Sequence, residues 1–373
     1  MKQTIAIIGA GMNGLALALS LRLFGIEAKI YEQAEAPRVD GTGICVWSEG
    51  MQILAALTNA ADIKRIGNAG ILFDTCTATG EHINQMELFT LAPYSIAPMG
   101  MFHRCDIYRL LLEQWGTNNI HCNKKLIALH DEKEYVEVGF ADGTKIQADI
   151  VIGADGIYSM VRQQLFPTIS LIDSGVKCCR GITEFSTALI NDESIYAFSG
   201  NKSRIVSYTI NRNTQLKYWF VACAIAADKS LQTQEDILKN FAYYHPDLLN
   251  MIKQTKDENI IPSTLYELKP MQTWSKGRVT LVGDACCAAL PTMAIGFSLG
   301  LENSFILAQC LASNYYDIKR AFLRYENRCL IRSNKLLNLT QRLNEIVYKE
   351  GVNNEKIGPV YQEFFKYISR SPF

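Results

Sequence analysis

Little in this sequence points to a membrane, a nucleic acid or a metal. No apolar run approaches the roughly 18 residues that a bilayer span needs. The apolar stretch Ile5 to Ile8 is short and leads straight into glycines, so the N-terminus does not read as a signal peptide. No charge of either sign is in excess: Lys+Arg and Asp+Glu both total 37. Phosphate backbones are bound by a basic surplus or stripe, and neither is present. No nucleic-acid partner and no stable membrane association are expected. Histidine is scarce. His82, His103, His121, His130 and His245 stand at no ligand spacing to one another or to cysteine. Eleven cysteines occur without a CxxC pair. An odd count with no secretory signal reads as reduced thiols in a cytoplasmic protein, and no metal site is expected. The adjacent pairs Cys178–Cys179 and Cys286–Cys287 read as small apolar packing, since vicinal cysteines rarely form a relaxed disulfide.

What remains is the balance of an ordinary globular protein, with 48% apolar and 20% charged residues in 373. That length suggests two domains. The chain opens as a βαβ unit: a buried strand Thr4 to Ile8, a helix Asn13 to Phe24 with Gly25 at its C-terminal end, and a second strand Ala28 to Tyr31. Helices are expected near Gly50 to Leu57 and Cys105 to Trp115, and a short strand near Asp149 to Ile152. From about Cys178 to Ile225 the texture changes to strands, around Glu193 to Phe198, Arg204 to Ile210 and Leu216 to Ala222. A buried strand returns at Arg278 to Val282. Two helices, about Gly300 to Ala312 and Asp317 to Tyr348, close the chain.

The glycines carry the first functional signal. Gly9-Ala-Gly11-Met-Asn-Gly14 follows a strand and opens a helix. In such a motif the first glycine permits a tight turn. The second lets a pyrophosphate approach the backbone, and the third lets helix and strand pack closely. Glu32, at the end of the second strand, stands where a ribose-hydroxyl acceptor is expected. The combination predicts dinucleotide binding. It does not separate FAD from NAD, since both contain an adenosine ribose.

Two further segments extend the pattern. Gly153-Ala-Asp155-Gly156 follows an apolar strand and leads through Ser159 to Arg162. Gly283-Asp284-Ala285 follows another, with Pro291 and Gly296 downstream. In this order the three segments resemble the fingerprints of the single-component FAD-dependent aromatic hydroxylases of the p-hydroxybenzoate hydroxylase-like fold. Ile44 to Gly50, His103-Arg104-Cys105-Asp106 and Tyr325-Glu326 strengthen the likeness to urate, salicylate and 3-hydroxybenzoate hydroxylases. The resemblance covers about residues 1 to 350.

It implies an α/β fold: a Rossmann-like FAD-binding domain (1–72, 97–172 and 270–315), an inserted, mostly antiparallel substrate domain (73–96 and 173–269), and a C-terminal helical segment (316–373). It implies an enzyme that uses NADPH or NADH and O2 to hydroxylate a small aromatic or heteroaromatic substrate, as a monomer or homodimer. Gly9, Gly11, Gly14 and Glu32 would bind FAD. So would Arg104, Asp155, Asp284, Gly296 and Phe297, with Arg162 anchoring the helix it sits on. Arg204 and Tyr218 would face the substrate, Arg204 by charge and Tyr218 by a hydrogen bond. An FAD-dependent oxidoreductase of another type, or a non-catalytic flavin-binding protein, would share the scaffold. A halogenase would carry a Trp-x-Trp-x-Ile-Pro stretch, which is absent.

The sequence departs from the family pattern at two places. Ala294-Ile295-Gly296 replaces Gly-Gln-Gly, and Cys287 stands where a histidine is usual. The loop is therefore expected to turn without positive φ at Ala294 or Ile295. Ile295 is expected to make the oxygen pocket more apolar, altering how well reduction is coupled to hydroxylation.

Overall fold

The computed structural model describes residues 3–39, 41–91, 98–211, 213–224, 230–314, 316–351 and 354–369. At its centre lies a five-stranded sheet in the order Val279–Leu281, Ile150–Gly153, Ile5–Ile8, Ala28–Tyr31, Ile120–His121. Every pairing in it is parallel. Strands such as Ile5–Ile8 and Ile150–Gly153 are buried along their whole length, as expected when a parallel sheet is covered on both faces. The helix Met12–Leu23 follows the first strand. It ends where Gly25 turns the chain at φ +76°, a conformation that favours glycine. The loops that leave Ile5–Ile8, Ile150–Gly153 and Val279–Leu281 carry the three glycine motifs, so parallel pairing sets all three along one carboxyl edge of the sheet.

A seven-stranded sheet forms the second layer, in the order Ile261–Glu267, Ile172–Glu184, Leu216–Ala224, Ser203–Asn211, Ser194–Gly200, Leu72–Thr77, His82–Glu87. Its pairings are antiparallel except that between Ser194–Gly200 and Leu72–Thr77. Alternation divides its two faces. Cys179, Ile205, Trp219 and Val221 pack into an outer core with Phe241, Leu248 and Met251. Their even-numbered neighbours Arg180, Arg204, Val206, Tyr218 and Phe220 face inward. This sheet is larger than the sequence reading expected. It begins at Ile172 rather than near Cys178, and it takes in Ile261–Glu267. Two short helices, Gln234–Asn240 and Pro246–Lys253, interrupt the run of strands.

The C-terminus also differs. The long helix Ile318–Asn344 passes into a π-helical turn at Glu345–Glu350, and Gly351 (φ +98°) breaks it. A further helix, Asn354–Ile368, follows. Its apolar residues Ile357, Val360, Phe364, Phe365 and Ile368 are buried at helical spacing. Pro359 in its interior masks that periodicity in the sequence.

Candidate active site

Gly9 has φ +105°, and a Cβ there would lie 2.6 Å from the Ala154 carbonyl oxygen. At Gly14 a Cβ would lie 2.0 Å from the Gly9 carbonyl oxygen, so this glycine sets the close strand–helix contact. Gly11 differs, since nothing lies within 4 Å of a Cβ built on it. It is the N-cap of Met12–Leu23, with no side-chain cap and no acid in the first turn. A helix start with unpaired N–H donors thus faces open space, as an anionic pyrophosphate requires. Beside it, Glu32 is fixed by two backbone donors. Ala10 N donates to its Oε2 at 2.8 Å and Ala34 N to its Oε1 at 2.9 Å. Each oxygen keeps acceptor capacity for a ribose hydroxyl.

The second and third loops are joined by a buried arginine. Arg162 donates from Nη1 to the Ala285 carbonyl at 2.9 Å and from Nη2 to the Ile157 carbonyl at 2.7 Å. Asp155 is occupied locally: its Oδ2 accepts from Met160 N at 2.8 Å and Val161 N at 3.1 Å, at the start of helix Met160–Leu165. Burial raises its pKa, and hydrogen bonds from Ser159 and these N–H groups oppose the shift. Asp284 instead turns into a cavity and makes no hydrogen bond to the described residues. Burial raises its pKa too, opposed by the neighbouring Arg104 cation. Arg104 opens the helix Arg104–Trp115 and leans on the backbone at Gly41, where a Cβ would come within 2.8 Å of its Cδ. His103 is committed to structure. Its Nδ1 accepts from Cys105 N at 3.2 Å, and burial lowers its pKa.

The cavity measures about 330 Å³. Met12, Asn13, Arg104, Asp284, Gly296 and Phe297 form one end, and the inward face of the seven-stranded sheet forms its floor. Tyr361, Phe364 and Phe365 of the last helix form its cover. The Trp47 ring packs edge-on against Phe364 and Phe365, at centroid distances of 5.5 and 5.9 Å. Arg204 is only 2% exposed. Its Nη2 donates to the Tyr361 hydroxyl at 2.9 Å, and its buried Nε has no partner. Tyr218 lies in the same cavity against Gly43, with its ring 4.8 Å from that of Tyr208. Burial raises the pKa of both phenols, so at neutral pH they are hydrogen-bond donors rather than anions.

The loop at Pro291–Met293 departs from expectation in two ways. Ala294 does adopt positive φ, at 52° with ψ 29°. Alanine tolerates this because it has a single unbranched Cβ, whereas a β-branched residue would not. Ile295, at φ −91°, is fully buried and does not line the cavity. Ala294 takes the wall position instead, so the apolar influence ascribed to Ile295 falls to a smaller side chain. Two bonds from Trp47 hold this loop: its N donates to Ser298 Oγ at 2.9 Å, and its Nε1 to the Met293 carbonyl at 3.0 Å. Helix Gly296–Ser313 then starts at the cavity with no side-chain cap and no acid in its first turn. Cys286 and Cys287 are buried thiols packed in the core.

Against known proteins, residues 2–340 match the model of a family described as FAD binding domain. The chain belongs to that family. It is an FAD-dependent oxidoreductase of the monooxygenase type, with FAD as its cofactor. Among curated relatives it is 29% identical to aurachin C monooxygenase/isomerase of Stigmatella aurantiaca, covering 92% of this chain and 89% of the relative. It is 27% identical to 6-hydroxynicotinate 3-monooxygenase of Pseudomonas fluorescens, covering 90% of each. Among solved structures it shares the fold of Klebsiella pneumoniae HpxO complexed with FAD and uric acid. The TM-score is 0.88 at 22% identity, over 98% of this chain and 93% of that one. No described helix is long and apolar enough to cross a membrane.

Several cavity residues escaped the sequence reading. Arg180, Tyr208 and Phe73 lie on the sheet floor, and Tyr361, Phe364 and Phe365 on the cover. The period-2 parity of Cys178, Arg180 and Ile182 carried the signal for Arg180. The spacing of Ile357, Val360, Tyr361 and Phe364 carried that for the cover.

Proposed function

We propose that this enzyme uses NADPH or NADH and O2 to hydroxylate a small aromatic or heteroaromatic compound bound over the inward face of the seven-stranded sheet. The observation that carries this reading is the single cavity that Asp284 and the start of helix Gly296–Ser313 share with Arg204 and Tyr218. When bound, FAD supplies the reduction and oxygen chemistry; the protein supplies position, charge and exclusion of water. Gly9, Gly11, Gly14 and Glu32 would hold the adenosine and pyrophosphate end. Arg104, Asp284, Gly296 and Phe297 would hold the flavin end, and the uncapped N–H donors at the start of helix Gly296–Ser313 favour negative charge in front of them. Asp155 would act on the cofactor indirectly, by fixing the second loop. Arg204 would orient an anionic substrate and Tyr218 would donate a hydrogen bond to it.

Division of the chain into an FAD domain (1–72, 97–172, 270–315) and a substrate domain (73–96, 173–269) is part of this reading. It is supported by the seven-stranded sheet, whose strands come almost wholly from the latter stretches. A cytoplasmic setting is supported by eleven free cysteines. The test is NAD(P)H consumption by the FAD-loaded protein, with and without phenolic acids and hydroxylated heteroaromatics. Stimulated consumption with a hydroxylated product supports the reading. Reduction that no such compound accelerates, and that gives no oxygenated product, overturns it.

A further inference from the structure

Two arginines, not one, stand in the substrate part of the cavity without a carboxylate. Arg180 and Arg204 both line it, and Asp284 is the sole acid among the described lining residues. That acid lies beside Arg104. Among the described residues, Arg204 bonds only a tyrosine hydroxyl, and its buried Nε has no partner. Among the described residues, Arg180 reaches only the Cys178 thiol, at 3.7 Å, and it lies 5.9 Å from the Phe220 ring centroid. Buried guanidinium groups keep their charge, and a charge held in an apolar wall without a counter-ion is costly. Structural arginines avoid that cost by pairing, as Arg332 does with Glu302 at 2.9 Å, or by donating to several carbonyls, as Arg162 does to Ala285 and Ile157; Arg180 and Arg204 do neither among the described residues.

Sheet register fixes how the two cations are spaced. Arg180 pairs with Phe220, which pairs with Val206; Cys178 pairs with Ala222, which pairs with Arg204. The two arginines therefore share one face, two strands apart and offset by one side-chain rung. That separates their Cα atoms by about 12 Å, from ordinary strand spacing and rise. Phe220 and Ala222 lie on the strand between them and, with Val206 beside Arg204, make an apolar bed. An aromatic ring on that bed can present an acceptor to each fork.

Resting on the reading of this cavity as the substrate site, we propose that Arg180 is a second specificity-determining residue. The substrate class is then a planar ring bearing anionic or enolic oxygens on two opposite edges, one held by Arg204 and the other by Arg180. A ring with a single acid group would satisfy one arginine and leave the other uncompensated.

Binding to the FAD-loaded protein, read from the flavin absorbance change, tests this. The probes are benzoate, terephthalate and urate; the variants are R180Q, R180K and R204Q. Terephthalate or urate should bind the native protein at least tenfold more tightly than benzoate. R180Q should weaken that probe by about 10- to 100-fold, the loss of a charge-assisted contact. It should change benzoate by less than threefold. R180K, which keeps the charge but not the fork, should fall between; it also decides the matter if R180Q fails to retain FAD. Equal binding of all three probes, no binding of any, or an unchanged two-edged probe in R180Q and R180K overturns the proposal. Hydroxylation is measured separately. If the probes bind as stated but no compound is hydroxylated, the proposed reaction fails and the binding assignment stands.

Discussion

Arg204 carries a full charge into a wall made mostly of carbon. Its neighbours Tyr361, Tyr348 and Tyr244 contribute dipoles, not counter-charge. Its Nε is buried with no partner among the described residues, and the side chain lines the cavity that a ligand would occupy. Arg204→Ala should raise the KM for substrate in line with about 1.5–3 kcal/mol, the range for a charged hydrogen bond. FAD content should stay unchanged, and flavin absorbance per polypeptide checks that half. Loss of FAD with KM intact would place Arg204 in the wrong site. The two aspartates of the glycine loops should likewise separate. Asp155 spends its carboxylate on helix Met160–Leu165, so Asp155→Ala should lower stability by about 0.5–2 kcal/mol, as cap losses do. Asp284 has no such bond, so Asp284→Ala should lower FAD retention more than Asp155→Ala does. Dialysis followed by flavin quantitation ranks them, and the reverse ranking would undo the assignment. At this scale the glycines and acids were legible, because each answers to one backbone demand. The φ of Ala294 was not, since alanine tolerates both signs and the loop alone decides. Arg204 was legible only as a candidate. Its burial depends on strand pairing and on a helix more than 150 positions away, at Tyr361.

Elements here are joined by a few long polar links. Arg162 is the clearest, holding the Ile157 and Ala285 carbonyls together across the second and third loops. Arg162→Met should keep much of the packing but leave two carbonyls unpaired. The expected cost is about 2–6 kcal/mol, at 1–3 kcal/mol for each of the two groups left unsatisfied. FAD affinity should fall in parallel, because the loop carrying Asp284 loses its tether. Thermal unfolding of FAD-loaded and FAD-free protein reads both effects. A variant as stable as the native protein, with native FAD affinity, would show the link to be incidental. Most parallel-sheet elements were readable from short apolar runs bounded by glycine. The Ile261–Glu267 strand was not, because Glu267, Ser263, Thr264 and Pro262 dilute its pattern; it pairs only with Ile172–Glu184 at the edge of the sheet, where proline is tolerated. The cover helix was obscured by Pro359 and by the glycine that separates it from the preceding helix.

Across the whole molecule, the proposed cofactor-binding residues run from Gly9 to Phe297, and the cavity extends to Phe365. Such a site is assembled only when both large sheets are in place, so occupancy and global stability are linked. A ligand that binds the folded state alone adds about 2.7 kcal/mol at a hundredfold excess over its Kd. That should appear as a rise of several degrees in Tm between FAD-free and FAD-loaded protein. FMN should give much less of it. It lacks the adenosine and the second phosphate, and so leaves unused the open backbone at Gly11, the uncapped start of Met12–Leu23 and the pre-set acceptor Glu32. Those groups lie on the five-stranded sheet, whereas Asp284 and the start of helix Gly296–Ser313, in the proposed site, would meet the flavin end that both cofactors share. The purified protein should therefore release FAD on denaturation, identified by mass, and FAD should shift Tm more than an equal concentration of FMN. Glu32→Ala should shrink that difference while leaving the FMN response unchanged. Released FMN, or equal shifts from the two flavins in the native protein, would mean that the first glycine motif does not hold the adenosine half.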